Sequence, residues 1–308
     1  MRVCIVGCGA VGSLFAANLG TLDDVEVWAY DVVAPHVEAI NRDGLKLVGE
    51  AQITGRVRAT TDAAELLPCE FGIVATKSMY TRAAIEASAH AFAGGAVASV
   101  QNGLGADEIV GERGEWPILS SVTFMSGTRH ADTHVEYILD TATWIGPCRD
   151  TTPTDAEAVA VLIRSSGLKA QSFDDLRPAQ WSKLIFNATV NTVAALTGLP
   201  HEPRFAQLDD PGDLGHLVLA LMDEGKAVAG AAGVELGEDP WEMNVHATER
   251  GSRHYPSMLE DVEAHRPTEI ELITGSLIRE GRRHGVPVPL HETMYRLIRG
   301  KEASWQAE

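Results

Sequence analysis

The chain has 308 residues, a length that suits two domains better than a single core. Its composition, 45% hydrophobic and 22% charged, is that of an ordinary core-forming protein. A formal net charge of −18 argues against nucleic acid and anionic membranes as partners, and any anionic ligand must be met by local positive charge. No apolar run approaches the roughly 18 residues needed to span a bilayer. Residues 1–2 lead straight into a strand-like run without a signal-peptide cleavage pattern, so the expected compartment is the cytoplasm. Cys4, Cys8, Cys69 and Cys148 form no CxxC pair, and Cys4 and Cys8 read as small apolar side chains in a reducing environment. His130 and His134 flank Asp132 in a stretch that reads as strand and turn with no further ligand pattern, and no metal is expected.

Residues 3–6 are expected to form a short buried strand, GCGAVG follows at residues 7–12, and residues 13–19 read as a helix. Strand, tight glycine turn and helix are the pattern of a dinucleotide site, with pyrophosphate resting on the helix N-terminus. Gly7, Cys8, Gly9, Ala10, Val11 and Gly12 are therefore candidate cofactor contacts. A second strand is expected at residues 26–30, closed by Asp31, which lies 24 residues after Gly7. An acid there accepts hydrogen bonds from both adenine-ribose hydroxyls and repels a 2′-phosphate, which favours NAD(H). The alternative is an ordinary N-cap for the helix that follows. Residues 45–59 look like a small inserted hairpin and 71–75 like the next buried strand. Lys77 follows that strand, either facing the ligand crevice at the carboxyl end of a parallel sheet or exposed. A helix at 83–93 and a strand at 96–100 lead to QNGLG, where Asn102 can reach a cofactor ribose or amide, or cap a turn. Residues 118–125, 134–139 and 143–145 read as strands that extend the sheet, before a helix at 155–166 and a last strand at 169–173.

After Asp175 long helical segments take over, at 178–196, 212–232, 241–250 and 269–284, with no strand alternation. The expected architecture is α/β: a Rossmann-type doubly wound sheet over residues 1–174 and an all-helical domain over 175–308. The first long helix carries WSKLIFNATVN, in which Lys183, Asn187 and Asn191 stand at i, i+4 and i+8 and so form one stripe. The residues between them (Leu184, Ile185, Phe186, Ala188, Val190) call for burial of most of the helix surface. A buried ammonium facing two amides is costly unless something charged or hydrogen-bonding fills the space. The stripe thus reads as a catalytic lysine with two orienting amides, the alternative being a solvated polar face.

With GCGAVG, QNGLG and WSKLIFNATVN, and with SMLEDVEAHRPTEIELITG at residues 257–275, the chain resembles the ketopantoate reductase (2-dehydropantoate 2-reductase) family over nearly its whole length. The last segment looks like the family's signature of Ser-Met-Leu, an acid, a spacer and Thr-Glu-Ile, with a glycine further on at Gly275. Carried over by position, the resemblance implies that Lys183 is the general acid and that Asn187 and Asn191 are substrate-side amides. It implies that Ser257 contacts the substrate carboxylate, that Glu269 hydrogen-bonds within the reactive group, and that Asn102 and Lys77 lie along the cofactor. His254 stands where the family places a substrate-contacting Asn, Pro256 where it has Ser, and Tyr80 where Gln is common. The family commonly has an arginine at the place of Asp31 that grips a 2′-phosphate, so the resemblance points to NADP(H) where the residue points to NAD(H).

The implied activity is NAD(P)H-dependent reduction of a 2-oxo acid, of the ketopantoate-to-pantoate type in pantothenate biosynthesis, with Lys183 as general acid. Desolvation pulls a lysine's pKa down from about 10 and a nearby glutamate pulls it back up, which suits proton donation near neutral pH. One alternative is an NAD-dependent dehydrogenase or reductase acting on a different ketone or secondary alcohol, favoured by His254 and Asp31. A remote one is a non-catalytic dinucleotide-sensing protein. The expected partner is a small 2-oxo acid or related ketone, and a homodimer stays open.

Overall fold

The computed structural model describes residues 1–249 and 255–305. They fall into two units, one of Met1–Gln101 with Ala106–Leu176 and one of Asn102–Gly105 with the chain from Arg177 onward.

The first unit holds every strand: β1 (Arg2–Val6), β2 (Glu26–Tyr30), β3 (Leu45–Gly49), β4 (Ile53–Gly55), β5 (Val57–Thr60), β6 (Phe71–Val74), β7 (Ala96–Ser99), β8 (Ile118–Thr123), β9 (Ser126–Ala131), β10 (His134–Leu139), β11 (Thr143–Arg149) and β12 (Ala170–Ser172). Its helices are α1 (Ala10–Leu19), α2 (Ala34–Asp43), α3 (Thr81–Ser88), α4 (Ala106–Gly111) and α5 (Pro153–Ser165). An eight-stranded sheet runs β12-β11-β8-β7-β6-β1-β2-β5. From β5 to β8 all neighbours are parallel, while β11 is antiparallel to β8. The chain builds outward from β1 to β2 and β5, then reverses to β6, β7 and β8, so the switch point lies between β1 and β6. The central strands β1 and β6 are buried along most of their length because both faces are covered: Val3 and Ile5 enter one core with α1, and Cys4 and Val6 the other with Ile85 of α3.

A second sheet, β4-β3-β10-β9, lies on the far side of α1. Leu45, Leu47, Val135 and Tyr137 from this sheet share a core with Leu14 and Phe15. Covered on both sides, α1 is buried from Gly12 to Leu19, which explains a helix with no polar face. Two expectations are corrected here. Residues 45–59 are not one hairpin, because β3 and β4 pair with each other but β5 joins β2 in the main sheet. Residues 134–139 do not extend the main sheet, because β10 pairs with β3 and β9. The reason is burial pattern: β10 buries only Val135 and Tyr137, one face of a strand, and so suits a covering sheet rather than a sandwiched one.

The second unit is helical: α6 (Arg177–Thr197), α7 (Asp213–Ala231), α8 (Pro240–Glu249), α9 (Ser257–Glu263), α10 (Thr274–His284) and α11 (Pro289–Ser304). α6 is its axis, and all five other helices of the unit pack against it. The helix expected from residue 269 begins only at Thr274, since residues 269–273 form a turn with Ile273 N–H donating to the Glu269 carbonyl at 3.1 Å. α10 ends at Gly285 in the left-handed conformation, with Arg282, Arg283 and His284 in its last turn. α11, absent from the sequence reading, is capped by Glu224, which accepts from the N–H groups of Leu290 and His291. No helix among the described residues is long and apolar enough to cross a membrane.

Candidate active site

In the first unit, Gly7 turns the chain after β1 with φ +89°, and a Cβ there would lie 2.7 Å from the Thr76 backbone. A Cβ on Gly12 would lie 2.0 Å from the Gly7 carbonyl oxygen, whereas at Gly9 nothing stands within 4 Å. Chain packing therefore demands two of the glycines, and the middle one opens onto free space that a ligand can approach. The first helical bond of α1 runs from Ser13 N–H to the Gly9 carbonyl, which leaves the N–H groups of Ala10, Val11 and Gly12 without intrahelical acceptors. No acid stands in that first turn. The cradle fits a dinucleotide pyrophosphate.

Asp31 sits beside the same loop, with Oδ2 accepting from Cys8 N–H at 2.8 Å and Oδ1 from Val33 N–H at 3.0 Å. It is not the N-cap of α2, a place taken by Val33 without a side-chain bond. The Cys8 thiol is buried and pushed up to about 12 by that burial, so Cys8 offers the loop its backbone only. Lys77 is half-buried at the start of the short turn Ser78–Tyr80, and Tyr80 is exposed. His36 escaped the sequence reading. Wholly buried on α2, its ring places Nε2 2.8 Å from the Cys8 carbonyl and Nδ1 against the Asp132 carbonyl. Burial lowers its pKa. Its only trace in the sequence is a place on the buried face of α2 with Val37 and Ile40.

In the second unit, Lys183 and Asn191 of α6 are buried, as is Glu269, while Asn187 is half-buried. Lys183 Nζ donates to Asn102 Oδ1 at 2.8 Å, and Asn187 Nδ2 reaches the same oxygen at 3.4 Å. Asn102 Nδ2 in turn donates to Glu269 Oε2 at 3.3 Å. Asn102 is held in this unit because Leu104 N–H bonds the Leu272 carbonyl at 3.0 Å. Gly103, at φ +92°, passes so near that a Cβ would lie 1.8 Å from that carbonyl oxygen. Burial lowers the Lys183 pKa to about 8, against the opposing pull of Glu269. An ammonium that releases its proton near neutral pH, aimed by an amide, is equipped for proton donation.

Residues 3–150 match the family model described as ketopantoate reductase PanE/ApbA, and residues 175–302 match its C-terminal counterpart. The chain belongs to the ketopantoate reductase family. It is 29% identical over 306 residues to 2-dehydropantoate 2-reductase of Pyrococcus abyssi, covering 98% of both chains. A PanE/ApbA family ketopantoate reductase from Ralstonia eutropha JMP134 has a structure similar at a TM-score of 0.88 and 26% identity, covering 99% of this chain and 100% of that one. D-mandelate dehydrogenase, solved with NADH and anilino(oxo)acetate, shares the fold at a TM-score of 0.90 and 23% identity, covering 99% of each chain. The resemblance read from the motifs is borne out, as is the α/β class with a helical second half.

Of the residues that the ketopantoate reductase pattern singles out, the structure brings together Lys183, Asn187, Asn102 and Glu269. Among the described residues no hydrogen bond joins Asn191 or Ser257 to that group. Ser257 is the exposed first residue of α9, a helix packed on α6. His254 lies outside the described residues.

The depressed Lys183 pKa has a consequence for stability. The unfolded chain holds that proton up to about pH 10.5 and the folded protein only to about 8. Wild type should therefore gain stability relative to Lys183→Met as pH rises from 8 to 10.5, by about 3 kcal/mol, with no change in the difference below 8. Paired urea melts across that range measure it, and parallel profiles would show that the lysine is not held desolvated.

Proposed function

We propose that the protein reduces a 2-oxo acid of the ketopantoate type, with Lys183 as general acid and NADH as the preferred reductant. The reaction class comes with the family: an NAD(P)-dependent oxidoreductase acting on a CH–OH/C=O pair. The observation that supports Lys183 in its role is the chain Lys183–Asn102–Glu269, joined by hydrogen bonds, with both charged ends buried and the amide between them half-buried.

The cofactor, when bound, supplies the hydride. The carbonyl oxygen then gathers negative charge, and Lys183 Nζ donates the proton that converts it to a hydroxyl. Asn102 aims Nζ by accepting one of its N–H bonds. Burial favours the neutral amine left behind, and the charge of Glu269 favours its reprotonation for the next turnover. Asn187, Asn191 and Ser257 offer amide and hydroxyl groups for the acid end, worth about 0.5–1.5 kcal/mol each and more to a charged acceptor. A second reading keeps this chemistry and the NAD cofactor but assigns another ketone or secondary alcohol, and His254 in place of the family's substrate-contacting Asn is the feature that favours it. NADH and NADPH oxidation across a panel of 2-oxo acids, ketopantoate included, separates the two.

Lys183→Ala should lower kcat by about 10²–10⁴-fold, the range of general acid catalysis, with dinucleotide affinity little changed. Near-normal turnover in that variant would take the lysine out of the mechanism. In Glu269→Gln the alkaline fall in activity should move to lower pH, since the charge that raises the Lys183 pKa is gone.

The cofactor preference rests on Asp31. A carboxylate facing a 2′-phosphate costs about 1–4 kcal/mol between water-like and intermediate dielectrics. The expected preference is therefore NADH over NADPH by about tenfold or more in kcat/KM. Asp31→Asn is the sharper variant, because it keeps an oxygen for the Cys8 N–H while removing the charge, and it should narrow the ratio. A wild-type protein that uses NADPH faster than NADH at equal low concentration would leave Asp31 as a brace for the loop alone.

A further inference from the structure

The glycine loop presents backbone N–H groups but no charged side chain, the carboxylate of Asp31 accepts from its Cys8 N–H, and the chain as a whole carries −18. A dinucleotide brings two phosphate charges to that place. The four-stranded sheet offers a cation for them. Arg129 pairs across the ladder with Val135, and Gly127 with Tyr137. Directly paired residues share a face, and Val135 and Tyr137 are buried in the core with α1. A Cβ on Gly127 would touch the Leu14 side chain at 3.6 Å, which fixes the α1 side as the one Arg129 shares. The other end of the hairpin is fixed by His36, whose ring spans from the Cys8 carbonyl to the Asp132 carbonyl. Gly127 is thus level with the second turn of α1 and Asp132 with the glycine loop, which puts Arg129 alongside the first turn.

We propose that Arg129, carried by the second sheet rather than by the glycine motif, supplies the positive charge that binds the dinucleotide pyrophosphate. It is exposed, and among the described residues no hydrogen bond or ion pair engages it. Its charge is felt by both the Cys8 thiol and the His36 ring, as expected of a guanidinium standing near the loop. His36 is then a positioning residue, since it holds the hairpin that carries the arginine. The proposal rests on the dinucleotide reading of the glycine loop.

Calorimetric binding of NADH, NADPH, ADP-ribose and adenosine to wild type, Arg129→Gln and Arg129→Lys tests it. Arg129→Gln should weaken NADH, NADPH and ADP-ribose alike by roughly tenfold or more, the scale of a hydrogen bond between charged groups. Adenosine, which lacks the phosphates, should bind as before, Arg129→Lys should recover part of the loss, and the salt dependence of NADH binding should flatten in Arg129→Gln. Unchanged NADH affinity in Arg129→Gln would overturn the proposal. So would a loss confined to NADPH, which would put the guanidinium at the 2′-phosphate instead. A wild-type protein that binds none of the dinucleotides would defeat the loop reading itself, and the proposal with it.

Discussion

An ammonium group on a helix packed by five others is the constraint around which the helical unit is arranged. Left alone, a buried lysine would simply lose its proton. Here it is given a neutral partner and, behind that partner, a charged group. Asn102 accepts directly from Nζ, and Glu269 sits behind Asn102, within electrostatic reach of the lysine. The balance leaves Lys183 near pH 8, between a permanently charged surface lysine and a permanently neutral buried one. Much of the surrounding backbone follows from this need. A four-residue segment, Asn102–Gly105, belongs to the helical unit and not to the unit that holds the chain on either side of it. Gly103 is required by a close approach to the carbonyl of Leu272, in the turn that Glu269 begins.

The nucleotide-binding unit solves the opposite problem, the accommodation of negative charge in an acidic protein. The loop after β1 does so with unpaired N–H groups and the open space at Gly9. Asp31 adds a charge of the wrong sign for phosphate but also fixes the loop by accepting from Cys8 N–H. This carboxylate stands directly after β2 and braces the cradle. The second sheet completes the arrangement by covering α1 and tying its hairpin turn back to the loop through His36.

How much of this was legible in the sequence depended on how local each signal was. The Lys183 stripe was readable because helix spacing alone puts residues four apart on one face, and the apolar residues between them announced burial. The glycine loop was readable for the same reason: strand, turn and helix are contiguous. Lys183 and Asn102 stand 81 positions apart in sequence, and neither local spacing nor the family pattern, which lays Asn102 along the cofactor, pairs them. Pairings of distant strands were invisible, so β5 was assigned to a hairpin and β10 to the main sheet. The start of α10 was placed at Glu269 because its apolar spacing continues through a turn that tertiary contacts impose. Asp31 could be read as a cap or as a ribose acid, and the place of Val33 at the N-cap of α2 removes only the first reading. His36 and Arg129 depend on the β9–β10 hairpin reaching the loop, which no local pattern encodes.

The tuning of Lys183 by burial against a glutamate is read directly by NMR titration of the ε-methylene carbons of 13C-labelled lysine. The chain has only six lysines, and the Lys183 resonance is assigned by its loss in Lys183→Met. That one signal should titrate with a midpoint near 8, moving lower in Glu269→Gln. A Lys183 midpoint at or above the ordinary lysine value of 10.5 would contradict it.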